Sequence, residues 1–328
     1  MPLSDENLRM RRLSLQEFSE ERGHFDEAVI RSPGLLQFCS STIWQEAAHD
    51  CLRPPGQEDE HFIVEDEGNW LLFAEREGNR VFFPFEAAWM FGCPVVGDPL
   101  DGVALLKSAA AQYFSDRVGF CLGGIPKDAA LHRSLRSRQS EFLRYEEFPA
   151  TDCMMIDLGS GYDAWLERRS KKFRKSVRQL RVDESIEIID RSAHEPDELF
   201  ERILRIQQQT YKWEEGTDIF LGPEYRPFYR RLLEELRQSG RLRLLFAQRA
   251  GQDLAYIFGG ISGNTYRGFQ MGYVEAERKS ALGNVLQHAN LRARAEEGIT
   301  TYDLGMHSEY KERWADRREE FVGAFLVL

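Results

Sequence analysis

Residues 241–274 read RLRLLFAQRAGQDLAYIFGGISGNTYRGFQMGYV, and the period of this stretch decides the fold. Three apolar runs, 241–249, 253–262 and 265–274, are joined by Ala-Gly-Gln and Gly-Asn, which predicts an antiparallel meander with tight turns. On its C-terminal side SALGNVLQHANLRARAEEG (280–298) switches to helical spacing, with Leu282, Leu286, Ala289 and Ala293 on one face and Gly298 as the stop. TTYDLGM (300–306) predicts a strand, SEYKERW (308–314) a short helical turn and FVGAFLVL (321–328) a closing strand. On the N-terminal side SIEIIDR (185–191) alternates as a strand does, and helices over 196–213 and 223–238 fill the interval. The order β-α-α-β-β-β-α-β-α-β is that of an α/β domain, a central mixed and mostly antiparallel twisted sheet flanked by helices.

The first half repeats the later part of that order. Strands are expected near 61–66, 69–76 and 79–86, a helix near 101–115, a strand at VGFCLGG (118–124), a helix near 127–137 and a strand at FLRYEEF (142–148). Two helical segments, 14–30 and 33–51, precede them. The residues themselves do not match between halves, so the duplication is one of element order. A chain of 328 residues also exceeds what one core usually supports. Two tandem domains follow, 1–150 and 151–328, with 151–158 as a linking strand.

The composition, 42% hydrophobic and 12% aromatic, is that of a globular protein. The net charge of −11 argues against a general nucleic-acid binder, because phosphate contacts need clustered positive charge. The opening MPLSDENLRMRRLSLQEF lacks an apolar run and a small-residue cleavage site, and no later run approaches the ~20 apolar residues that span a bilayer, so a cytoplasmic location is expected. The five cysteines include no CxxC pair, and free thiols in a reducing compartment fit them. Among these, Cys93 reads as a small buried residue, not as a nucleophile. HExxH, GxSxG, GxxxxGK[ST] and GxGxxG are all missing from the sequence, and catalysis without a metal is expected.

One local exception to the acidic balance stands out. From Arg168 to Arg181 eight of fourteen residues are basic, while Trp165, Phe173, Val177 and Leu180 fall at helical spacing. An amphipathic basic helix over 162–182 is expected, with a phosphate partner: CoA, a tRNA, a nucleotide-linked sugar, or an anionic membrane touched peripherally through 168–181.

The whole order, with a meander followed by a helix whose N-terminus faces splayed strands, twice in one chain, resembles the FemAB and CelD-like branch of the GNAT acyltransferases. Three landmarks carry the resemblance: GYVEAERKSALGNVLQ (272–287), YDLGMHSEYKERW (302–314) and the basic SKKFRKSVRQLR (170–181). They cover most of residues 160–328, and the N-terminal half joins through element order alone. The resemblance implies transfer of an acyl group to a primary amine. It also implies that Lys311, in Tyr310-Lys311-x-x-Trp314, holds the acyl donor or the developing oxyanion, where one well-placed donor contributes ~100-fold in rate.

In ordinary GNAT enzymes a Q/R-x-x-G-x-G/A loop holds the CoA pyrophosphate on backbone amides at a helix N-terminus. Here the loop runs from Arg278 and Lys279 to Gly283 and Asn284, with Asn284 replacing the second small residue and a longer spacing. Those four residues are the candidate donor-binding set. The departure leaves two donors open, acyl-CoA (acetyl or longer chain) and, as in FemAB-type ligases, an aminoacyl-tRNA. A non-catalytic double-GNAT binding module is the third reading.

The acceptor amine must lose a proton before it attacks, and His307, Glu309 and Asp303 are the candidate bases on or after the strand that ends at Gly305. Tyr256, Gln270 and Tyr273 on the meander, with Asp303, are the candidate acceptor-binding residues. The resemblance admits small-molecule or lipid amines as acceptors: amino sugars, amino acids and, in some bacteria, long-chain amino alcohols in ceramide synthesis. For the lipid case Trp89, Met90, Phe91, Phe220 and Leu221 are the candidate channel residues.

Overall fold

A computed structural model describes residues 10–53, 60–75, 78–180 and 183–328. The chain divides into two compact units, one running to Asp152 and resumed at Glu319–Leu328, the other Cys153–Arg318. In the first unit come β1 (Arg11–Leu13), α1 (Leu15–Glu20), α2 (Arg22–Arg31), α3 (Gln37–Ser40), α4 (Thr42–Leu52), β2 (His61–Asp66), β3 (Asn69–Glu75), β4 (Val81–Pro84), β5 (Val95–Val96), α5 (Pro99–Tyr113), β6 (Gly119–Pro126), α6 (Ala130–Ser137) and β7 (Arg144–Pro149). The second unit opens with β8 (Cys153–Asp157), α7 (Gly161–Glu167), α8 (Lys171–Arg178), β9 (Ile186–Asp190), α9 (Pro196–Gln207), α10 (Tyr211–Glu214) and α11 (Tyr225–Gln238). It continues through β10 (Leu242–Arg249), β11 (Gln252–Ser262), β12 (Thr265–Tyr273), α12 (Leu282–Glu296), β13 (Thr301–Met306), α13 (Glu309–Glu312) and β14 (Arg317–Glu319), and the chain ends in β15 (Phe321–Val327).

The first sheet has the order β1-β2-β3-β4-β6-β15-β7 with β5 on β3; the second has β14-β8-β13-β12-β11-β10-β9. Each contains a parallel pair beside antiparallel ones, β4 with β6 and β12 with β13. The helix that crosses each pair, α5 or α12, lies between its strands in sequence, as a parallel connection requires. The meander β10-β11-β12, then α12 and β13, is the order that the alternating runs predicted, and β2-β3-β4, then α5 and β6, repeats it in the first unit.

Four expectations are corrected. The closing strand belongs to the first sheet, where β15 pairs with β6 on one side and β7 on the other, and Ala324 and Leu326 enter the core with Phe120 and Leu122. Both edges of a strand carry hydrogen-bonding groups, and the open place between β6 and β7 satisfies both. The basic segment 162–182 is two helices, because the Ser170 hydroxyl accepts a hydrogen bond from the Phe173 N–H and starts α8 afresh; Arg181 and Val182 lie outside the described residues. The helix expected over 196–213 ends at Gln207, and Thr210 caps the short α10 by accepting from the Trp213 N–H. The N-terminal helices break in the same way, with a Ser14–Glu17 capping box fixing the start of α1. Among the described residues no helix is long and apolar enough to cross a membrane.

Candidate active site

The parallel pair of the second unit is short. β12 and β13 match only at Thr265–Thr301, Tyr266–Tyr302 and Arg267–Asp303, and then part. Both strands are irregular where they separate. Against β11, Gly268 faces Gly259 and Gln270 faces Phe258, which leaves Phe269 as an extra residue. Against β8, Asp303 faces Met155 and Met306 faces Cys153, so Leu304 and Gly305 together oppose one residue, Met154. Bulges bend and twist the strand that carries them, and here two of them open one notch. Gly259 permits the close approach on the β11 side, since a Cβ there would stand 2.1 Å from the Arg267 carbonyl oxygen.

A cavity of about 930 Å³ occupies the notch. Its walls are β12 from Gly268 to Tyr273, the start of α12 (Gly283, Asn284, Gln287) and the turn carrying Glu309, Tyr310 and Lys311. α12 starts after Ala281, whose φ of 51° is left-handed, and among the described residues no side chain caps its first N–H groups. Uncapped donors and the positive end of a helix dipole suit an anion. The equivalent helix of the first unit is the contrast. There the Asp98 carboxylate accepts from the N–H groups of Leu100 and Asp101, and the loop before β5 packs across β6, with the Gly124 N–H donating to the Met90 carbonyl and the Met90 Cβ 2.5 Å from where a Cβ on Gly123 would stand. The first unit fills its own notch.

Lys311 is partly buried, and its ammonium is pushed down to about 8 by burial first and by the Arg267 guanidinium second, with Asp303 and Cys153 opposing the shift. Arg267 and Asp303 form a buried ion pair at 2.5 Å, and the other Asp303 oxygen accepts from the Gly305 N–H at 2.7 Å. Arg267 also donates to the Cys153 sulfur at 3.5 Å, and burial pushes that thiol up to about 12. Tyr310 donates to the Gly283 carbonyl at 3.4 Å, which ties the Tyr-Lys turn to the first turn of α12. Behind it Trp314 is buried and stacks on Trp165, their planes 2° apart.

Of the residues singled out from sequence, Lys311, Tyr310, Glu309, Arg278, Gly283, Asn284, Gln270 and Tyr273 meet in this one cavity. Gln270 is held there by donating to the Tyr229 hydroxyl at 2.9 Å. Four do not line it. Lys279 is exposed, and His307 turns to the surface, where it pairs with Glu312 at 2.5 Å. Asp303 is spent on Arg267 and the Gly305 amide. Tyr256 is fully buried in the core, because β11 is covered on both faces and burying an aromatic there outweighs leaving its hydroxyl unpaired. The proposed lipid-channel residues divide likewise: Phe91 and Phe220 are buried, Phe220 against Phe200 and Tyr229, while Trp89, Met90 and Leu221 keep some exposure. Cys93 is buried, with a thiol pushed up to about 12, as its apolar reading requires.

Sequence reasoning passed over Arg267, Gln207 and Arg313. Arg267 had a signal: a lone arginine within an apolar strand is expensive to bury without a partner. Gln207 lines the cavity and donates to Asp218, whose carboxyl is pushed up by burial, and a Cβ on Gly272 would stand 2.1 Å from the Gln207 Oε1. No local pattern announces that contact.

Residues 167–312 match the acetyltransferase (GNAT) domain family. No curated protein matches the sequence. The structure is similar to that of FemX, with a TM-score of 0.68 at 14% identity over 97% of each chain. It is also similar to L-PGS from Bacillus licheniformis (TM-score 0.54, 13% identity, 93% of this chain and 90% of that one). A tandem GNAT protein from the clavulanic acid biosynthesis pathway matches with a TM-score of 0.52 at 14% identity, over 96% and 97% of the two chains. The chain has a FemAB-like double-GNAT acyltransferase fold.

Proposed function

We propose that the protein is an N-acyltransferase in which the second unit binds an acyl-CoA in the notch between β12 and β13 and passes the acyl group to a primary amine. The observation that carries this reading is the convergence on one cavity of the uncapped start of α12 and Lys311. A pyrophosphate suits the free amides at Leu282 and Gly283, with Arg278 nearby, and the thioester then extends toward Lys311. The amine nitrogen bonds to the thioester carbon, the carbonyl oxygen gathers negative charge, and the carbon–sulfur bond breaks to release the CoA thiolate, which takes up a proton from water. Protonated Lys311 stabilises that oxyanion. Glu309, the carboxylate on the cavity wall, takes the amine proton directly or through water. The Arg267–Asp303 ion pair lies beside Lys311, where Arg267 adds to the downward shift that burial causes and Asp303 opposes it.

The likeness to FemX favours a second reading, with an aminoacyl-tRNA as donor and the same Lys311 chemistry. Both are tested by single-turnover transfer to an amine panel, using acetyl-CoA, a long-chain acyl-CoA and aminoacyl-tRNA as donors with and without RNase. Transfer from a CoA thioester that RNase leaves untouched and that falls ~100-fold in Lys311→Ala supports the first reading. RNase-sensitive transfer from aminoacyl-tRNA alone replaces it with the second, and no transfer from any donor leaves a binding module.

A further inference from the structure

A second cavity, of about 780 Å³, lies beside α8 and is lined by Arg168, Arg169, Ser170, Lys172, Phe173 and Arg313 among others. Arg313 also lines the first cavity, so the two share a wall. The charge is one-sided. Arg168 and Arg169 are both turned to Asp316, and Lys172 and Arg313 make no ion pair among the described residues, so four cations face one carboxylate in a chain whose net charge is −11. Like charges packed together repel, and an acidic chain has no general reason to gather them.

The cluster is also fixed in place. Arg169 donates to the Ala315 and Trp314 carbonyls, Arg168 donates to the Asp157 carbonyl at 2.6 Å, and Arg174 ties α8 back to the carbonyls of Glu167 and Arg169. Phe173 anchors the helix by packing edge to face on Trp165 and Trp314. A solvated charged face needs no such bracing; a preorganised anion site gains from it, because less ordering is left for binding. Charge-assisted bonds to phosphate are the strongest such groups make.

We infer that this cavity is a phosphate subsite taking the 3′-phosphate of the CoA donor whose acyl end reaches the first cavity. This rests on the acyl-CoA reading above. A confined pocket with three positive charges in excess fits one phosphomonoester dianion better than an extended phosphodiester backbone.

The test compares binding of CoA and of dephospho-CoA, which lacks only that phosphate, to the full chain by calorimetry. Wild type should prefer CoA by about tenfold or more. Lys172→Ala, an exposed change outside the first cavity, should bring the two affinities together by weakening CoA alone, and Lys172→Arg should restore the preference. Equal affinities in wild type, or a preference unchanged in Lys172→Ala, overturn the subsite while leaving the CoA reading intact. Binding of neither compound overturns both. A tRNA acceptor minihelix whose binding falls in Lys172→Ala while CoA's does not assigns the pocket to RNA instead.

Discussion

The Lys311 Nζ lies 3.4 Å from the point where a Cβ on Gly305 would stand, so the bare backbone of that bulge forms the floor beneath the ammonium. Gly305 has a φ of +83° and its N–H donates to Asp303, the partner of Arg267. Backbone shape, buried ion pair and lysine are therefore one assembly.

Gly305→Ala should cost about 1–2 kcal/mol from the left-handed backbone and displace Lys311 as well. A lowered melting temperature with a fall in transfer rate larger than that of a surface control is the expected pair of results. An unchanged rate would show that Lys311 does not depend on this floor.

The depressed Lys311 value fixes a pH dependence. Its folded value, about 8, lies below the unfolded value of about 10.4, so the folded state binds fewer protons between them and stability rises with pH across that window. Below pH 8 the buried charge opposes folding by at most about 3 kcal/mol. Lys311→Met should thus match or exceed wild-type stability in urea at pH 7, with the difference closing by pH 10.

If protonated Lys311 holds the oxyanion, the transfer rate should fall as pH rises through about 8. Lys311→Arg should be slower but lack that limb, since a guanidinium stays protonated. A profile identical in the two proteins assigns the limb to another group.

Gly283 separates a packing role from a binding one. A Cβ there meets only ordinary contacts, the nearest 3.4 Å away on Met271, and alanine favours a helix over glycine by about 1 kcal/mol. Gly283→Ala should keep or raise the melting temperature and weaken CoA binding, because the added methyl stands where phosphate must approach the amides. Unimpaired binding would mean that the glycine serves packing.

Tyr256→Phe removes a buried hydroxyl that has no hydrogen-bond partner among the described residues. Stability should stay level or rise by up to about 1–2 kcal/mol, and transfer should be unaffected. A loss of transfer would return Tyr256 to the site from which its burial removes it.

Much of the candidate site's lining was legible because its parts lie close in sequence. Gly283 and Asn284 open α12, and Glu309, Tyr310 and Lys311 share one turn, so a helix start and a single turn bring them to the notch. His307 and Lys279 stand next to these segments but face outward, a difference of side-chain direction that spacing does not encode. Arg267 and Asp303 are 36 positions apart, and only the short parallel pairing of β12 and β13 sets them opposite each other.

By itself the sequence determined what is local: the meander, the helix after it and the basic run in an acidic chain. Hydrophobic period acts within a few residues, so it can be read along the chain, whereas the caps at Ser170 and Thr210, which split helices that the period alone joins, emerged with the structure. Tertiary structure alone decided that β15 enters the first sheet, that one notch is open and the other filled, and that Lys311 sits above a buried ion pair. Those outcomes depend on which distant backbone edges meet and which groups lose water together, and nothing within a few residues fixes either.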